Sequence, residues 1–167
     1  LAHEWVLIAN LFLLLTGFAL LSNHFEKSGV PEKLPDWLPE GWIGGFALLA
    51  LVFVISAFLD NIAAALIGAT AAGVVFKGRV HVGYLAAIVA ASNAGGSPSV
   101  VGDTTTTMMW LAGVSPTWVF HAVVGAVGAL CVIGYFASRQ QDALQSIMKD
   151  APTGAHIDYT RLFIVLF

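Results

Sequence analysis

"SNAGGSPSVVGDTTTTMMW", Ser92 to Trp110, interrupts an otherwise apolar chain with Gly95, Gly96, Pro98, Asp103 and the threonine run Thr104 to Thr107. A regular helix through the two glycines and the proline is disfavoured. Glycine loses the most backbone entropy on folding, and proline lacks an N–H and clashes with the preceding turn. A break there frees carbonyls at the end of one half-helix and N–H groups at the start of the next. In hydrocarbon such groups cannot stay bare, so unwound chain is tolerated only where it is buried in protein or lines a cavity. The stretch predicts a discontinuous helix over 84–112 with a polar site at its interruption.

Composition places that helix in lipid. The 167 residues are 58% hydrophobic and only 10% charged, against roughly 25% charged in an ordinary soluble domain. Mean hydropathy is +0.85. The net charge of -3 and the scattered basic residues exclude the stripe that nucleic-acid binding needs. The single cysteine, Cys131, allows neither an internal disulfide nor a multi-cysteine metal site, and its apolar neighbours suggest packing.

Outward from the quoted stretch, the apolar text divides into segments. Residues 5–22 are long enough for a transmembrane helix. Asn23 to Gly41, with three prolines, six charges and two glycines, reads as an aqueous connection. Residues 42–76 would make one helix about 52 Å long, too long for a bilayer, so a break is expected at Ser56 to Asn61, near 59–61. Either two crossings or a re-entrant hairpin satisfies that length. A helix over 117–137 follows, with Gly125 and Ala129 spaced for close helix approach. A polar stretch over 138–160 leads to 161–167, which reads as the start of a truncated helix in a longer polytopic protein. The first segment lacks the basic leader and small-residue cleavage site of a signal peptide. Lys77 and Arg79 in one loop, and Arg139 and Lys149 in the 138–160 loop, are two crossings apart and share a side, which the positive-inside rule makes cytoplasmic.

Within the apolar stretches from Trp42 to Ala137, Asp60 and Asp103 have no Lys or Arg beside them in sequence. Each acid costs about 2.5–3.5 kcal/mol at a helix centre, so a bound cation or proton is the economical partner. Ser56, Asp60 and Asn61 form one polar interruption, and Ser92, Asn93, Ser97 and Asp103 a second, which suggests that both converge on one place. Half-helix N-termini facing anions and loose carbonyls facing sodium are how secondary transporters build midplane sites. Blander roles stand beside these. Asp60 and Asp103 also suit helix N-caps, and the threonines suit bonds to their own i-4 carbonyls or packing against a neighbouring helix. His121 reads as interfacial or packed, His81 as solvated, and the tryptophans as interfacial anchors. Gly96 to Gly102 lacks the Lys-Ser/Thr ending of a phosphate loop. Ser146-Ile-Met-Lys149 lacks companion motifs, and the histidines lack metal-ligand spacing. No enzyme activity is expected.

"SAFLDNIAAALIGAT" followed by "NAGGSPSVVGDTTTTMMW" resembles the first half of the ion-transporter superfamily that contains the D-type sodium/proton antiporters, arsenite permeases and citrate carriers. The resemblance covers roughly 41–136. It implies an all-α polytopic membrane protein, the N-terminal one of two inverted repeats, each with a re-entrant hairpin and a broken helix. It also implies an ion- or substrate-binding set of Ser56, Asp60, Asn61, Ser92, Asn93, Gly95, Gly96, Ser97, Asp103, Thr104, Thr105 and Thr106. Within that set Asp60, Asn61 and Asp103 would face sodium. After Asn61 the pattern departs from the antiporters, with alanines where they carry threonines, leaving fewer oxygens for a bare cation. The expected function is secondary transport by alternating access, with sodium/proton antiport first, a citrate-like carboxylate carrier second, and a static pore or structural subunit third. No cofactor beyond coupling sodium and protons is expected. The expected partners are the lipid bilayer, a small ion or carboxylate, the missing C-terminal repeat and a second copy in a homodimer, at a bacterial inner membrane.

Overall fold

A computed structural model describes residues 23–147 and 157–166, together with Trp5, Ala9, Phe12, Leu13, Thr16, Gly17 and Leu20 of the first apolar run. Those seven are helical, and the rest of the expected 5–22 helix lies outside the described residues, as does 148–156 of the polar stretch. All described secondary structure is helical: α1 (Val30–Trp37), α2 (Gly41–Ser56), α3 (Asn61–Val75), α4 (Val82–Gly96), α5 (Thr104–Leu111), α6 (Pro116–Phe120), α7 (Val123–Leu144) and α8 (Tyr159–Leu166).

The helices α2, α3 and α4 are apolar on every face, as expected of segments surrounded by protein and lipid. They run only 16, 15 and 15 residues. At 1.5 Å per residue each is about 22–24 Å long, short of a roughly 30 Å hydrocarbon core. The run from Pro116 to Leu144 is different. It has 29 residues and contains an 18-residue stretch of mean hydropathy 2.1, enough to cross a membrane by length and composition. Its outward side shows Trp118, Phe120, Val124, Val132 and Phe136, a surface that suits lipid and not water.

The core lies where α2, α4 and α7 meet, with α3 packed on α2 and α4. Leu48, Leu49 and Val52 of α2 bury against Ile67 and Val75 of α3 and against Tyr84, Ala87 and Ile88 of α4. Lipid gives helices no hydrophobic reason to associate, so close packing and interhelical hydrogen bonds must do it. The buried Tyr84 hydroxyl donates to the Gly45 carbonyl at 2.6 Å, binding α4 to α2, and the Tyr84 ring meets Phe76 edge-on at 5.0 Å.

One end of the bundle is tied together by Gln141, whose side chain is fully buried. Its Oε1 accepts the His81 N–H at 2.7 Å, and its Nε2 donates to the Arg79 and Gln145 carbonyls at 3.0 and 3.2 Å. At the same end the Gly41 N–H donates to the Ile147 carbonyl at 3.3 Å. The start of α2, the end of α3 and the end of α7 therefore share an end. The α2–α3 hairpin leaves from it and returns to it, with its tip at residues 57–60.

Several local features differ from the sequence reading. The 23–41 segment holds α1, with proline in its first turn where the missing N–H costs nothing, and with Phe25, Leu34 and Leu38 buried beside α3. The last long helix continues past Ala137 to Leu144, because Ser138 and Gln141 turn inward. Its buried face runs through Ala126, Gly134, Ala137, Ser138 and Gln141, whereas Gly125 faces open space. Cys131, expected to pack, is exposed. His81 is half-buried, and its Nδ1 accepts the Gly83 N–H at 3.0 Å as the N-cap of α4.

Candidate functional site

The hairpin tip forms because α2 runs out of helix at Ser56 and Asp60 starts a new one. Extended at ψ 142, Asp60 accepts the Ile62 N–H on Oδ1 at 2.8 Å, an N-cap for α3. Asp103 does the same for α5, its Oδ1 accepting the Thr105 N–H at 2.7 Å and the Thr105 hydroxyl at 2.6 Å. Both acids thus carry the bland role foreseen for them. Capping uses one carboxylate oxygen of each.

The interruption between α4 and α5 is held by its own hydroxyls. Ser99 Oγ accepts the N–H groups of Val101 and Gly102 at 3.1 and 3.2 Å. Thr106 donates to the Ser99 and Asp103 carbonyls at 2.5 and 2.8 Å, and Thr107 to the Val100 and Asp103 carbonyls at 2.6 and 3.0 Å. These threonines satisfy carbonyls that the break sets free, as hydrocarbon requires.

The two interruptions meet. Asn61 Nδ2 donates to Asn93 Oδ1 at 2.9 Å and to Asp103 Oδ2 at 3.0 Å, so one amide joins the hairpin tip, the end of α4 and the start of α5. Beneath it, Ser56 Oγ donates to the Ser92 carbonyl at 2.5 Å, with both serines fully buried. Close backbone approach makes this junction possible. A Cβ on Gly95 would collide with the Phe53 carbonyl oxygen, and one on Gly102 with the Ser56 carbonyl oxygen. Only glycine lets the last turn of α2 lie directly on the interruption.

Of the residues singled out from sequence, Ser56, Asn61, Ser92, Asn93, Gly95 and Asp103 come together directly. Gly96 packs on the Gly102 carbonyl. Ser97 donates to the Ala94 carbonyl at 2.9 Å, within its own helix end. Asp60 faces its own helix, and among the described residues it makes no bond to Asn93 or Asp103. Thr104 and Thr105 are exposed at the start of α5. Beside the Asn61–Asn93 pair opens a cleft of about 240 Å³ lined by Asn61, Ile62, Ala65, Val89, Ser92 and Asn93. Gly102 and the Val89 carbonyl were missed in the sequence. Val89 accepts from Ser92 Oγ and Asn93 Nδ2 at 2.9 and 2.8 Å, a backbone role that no residue type announces. Gly102, directly before an aspartate cap, was open to the same reasoning as Gly95.

Chemically the junction offers oxygen. Asp103, the amide oxygens and the hydroxyls there, with Asp60 next in sequence to Asn61, are hard ligands suited to sodium or to a proton, while among the described residues no three His, Cys, Asp or Glu side chains gather. The second cleft, about 580 Å³, lies on another side of the tip between Phe58, Pro98, Val100, Phe120 and His121. There His121 bonds the Thr117 carbonyl at 2.7 Å, and its ring lies 5.7 Å from that of Trp118, both contacts within its own stretch of helix.

Comparison with known proteins gives two findings. A family model described as citrate transporter matches residues 2–166. The Na(+)/H(+) antiporter NhaD of Alkalimonas amylolytica is 30% identical over 154 residues, which cover 83% of this chain and 31% of the antiporter. No solved structure matches.

Proposed function

The chain belongs to the citrate transporter family, and on that premise we propose that it forms one ion-binding repeat of a secondary active transporter exchanging protons for sodium by alternating access. Family membership makes it an integral membrane protein concerned with transport. The chain spans 31% of the length of the antiporter it resembles, so the activity of the whole protein rests on this proposal.

The observation that carries the reading is the pair of bonds from Asn61 to Asn93 and Asp103. They fasten the tip of a hairpin that leaves and re-enters one end of the bundle to the break in a neighbouring helix. Limbs about 22–24 Å long fall short of a roughly 30 Å hydrocarbon core, which supports a re-entrant hairpin with its tip at depth. The end joined by Gln141, which carries Lys77, Arg79 and Arg139, is cytoplasmic by the positive-inside rule. At that depth a bare carboxylate is costly, and sodium or a proton relieves the cost in turn at Asp60 and Asp103. Competition for the same carboxylates couples the two flows. A second repeat of inverted topology would complete the site, in a bacterial inner membrane.

A carboxylate such as citrate is the competing cargo, given the family's description. It would be held by half-helix N-termini. Those of α3 and α5 are already capped by Asp60 and Asp103, so an anion arriving there would meet two carboxylates in its place. That electrostatic argument favours the cation. The test is flux in proteoliposomes of the full-length protein, reading internal pH under an imposed sodium gradient and, separately, uptake of radiolabelled citrate. Asp103→Asn should abolish sodium-driven proton movement. Undiminished exchange in that variant, citrate uptake without proton or sodium coupling, or a conducting uncoupled current would each overturn the proposal.

A further inference from the structure

From a cluster at the Gln141 end of the bundle, we infer that the surface where Trp42 of α2 meets Tyr135 and Arg139 of α7 binds the headgroup of an anionic phospholipid through Arg139. The Arg139 guanidinium lies over the Trp42 ring, 5.8 Å from its centroid. Trp42 meets Tyr135 edge-on at 5.5 Å, and Tyr135 meets Phe136 edge-on at 5.4 Å. Arg139 is exposed, and among the described residues no carboxylate lies within ion-pair distance of it. Of the neighbouring acids, Asp142 has its Oδ1 buried near Gly41 at the start of α2, and the exposed Glu40 stands at the N-cap position of α2 without a side-chain cap bond.

The position defines the occupant. The outward side of α7 is apolar through Val132, Ile133, Tyr135 and Phe136 and turns polar at Arg139 and Gln140, which marks the hydrocarbon boundary. Tryptophan and tyrosine favour that depth, and the cytoplasmic leaflet carries the anionic lipids. An arginine beside an aromatic ring presents planar N–H donors that match phosphate oxygens, whereas a lysine would present a mobile point charge. The ring contact also lowers the entropy lost on capture. The inference rests on the membrane-embedded reading of the chain and is independent of which ion is transported.

The test titrates the full-length protein in micelles with phosphatidylglycerol, phosphatidylcholine or inorganic phosphate and reads the unfolding midpoint. The midpoint should rise with phosphatidylglycerol alone. Arg139→Gln and Trp42→Leu should each weaken the apparent lipid affinity about five-fold, the factor expected for one surface arginine. Arg79→Gln, which removes a basic residue from the same end but not from the aromatic cluster, should leave it unchanged. Equal weakening by Arg79→Gln and Arg139→Gln would show diffuse charge and overturn the inference, as would the same rise with inorganic phosphate or with phosphatidylcholine. Sodium-driven proton flux in Arg139→Gln, expected at the wild-type level in neutral lipid, separates this outcome from failure of the transport reading.

Discussion

Asn61→Ala is the sharpest perturbation, because one side chain holds the two interruptions together. The substitution removes a neutral bond of 2.9 Å to Asn93 and a charge-assisted bond of 3.0 Å to Asp103. Net contributions of about 1 kcal/mol for the first and about 2 kcal/mol for the second are typical. Asn61 is only half-buried, so water replaces part of the loss, and about 2 kcal/mol is the expected cost. That corresponds to about a 30-fold shift toward forms in which tip and break have separated. Equilibrium unfolding of the full-length protein in mixed micelles reads the stability, and proteoliposome flux reads the exchange. Both should fall together. A double-mutant cycle with Asn93→Ala should return a coupling of about 0.5–1.5 kcal/mol between positions 61 and 93. Wild-type stability with wild-type flux in Asn61→Ala, or a cycle with no coupling, would refute the claim that this amide joins the site.

Three further outcomes follow from the geometry. Gly95→Ala and Gly102→Ala push a methyl group into backbone oxygens of α2 and should lower stability by about 3 kcal/mol or more. Gly125→Ala, with nothing within 4 Å, should be neutral or mildly stabilising on thermal unfolding of the same preparation. Gln141→Leu keeps the volume but leaves the His81 N–H and Arg79 carbonyl unpaired. A loss of about 2–4 kcal/mol in unfolding free energy is expected, and a loss under 0.5 kcal/mol would show that water replaces the amide. The half-exposed Asp158 has its carboxyl held below the usual range, first by the Arg161 backbone N–H and then by the Arg161 side chain and the Thr160 N–H. Because the folded-state value is depressed, its contribution to the start of α8 is complete above the ordinary aspartate range and is lost as pH falls through the lower folded value. Amide exchange at Thr160 and Arg161, corrected for its intrinsic pH dependence, should show protection falling in that acidic window.

Much of this protein is legible in its sequence. Gly95 and Gly96 end α4 and Pro98 follows in the interruption, Asp60 and Asp103 are acids in apolar text that call for a role, and the length of 42–76 demands a break. Those conclusions depend on local chemistry and on lengths, which a one-dimensional string carries in full. Which neighbours act on one another is a different matter. Asp60 and Asn61 are adjacent, yet the first turns back to cap α3 and the second reaches across to Asn93 and Asp103. Successive helical positions differ by about 100° in direction, so the packing angle of α3 on α4 decides which one faces the gap.

The same reason hid other features. Gln141 and Ser138 acquire their roles only when α7 lies on α2 and α4. The exposed faces of Gly125 and Cys131 follow from the rotation of α7 about its own axis, which a spacing of small residues cannot specify. Sequence alone determined where the chain must abandon its helices and why polar atoms must gather there. Tertiary structure decided which of those atoms touch, because contact between distant segments is a property of how rigid helices are rotated and stacked and not of any one segment's composition.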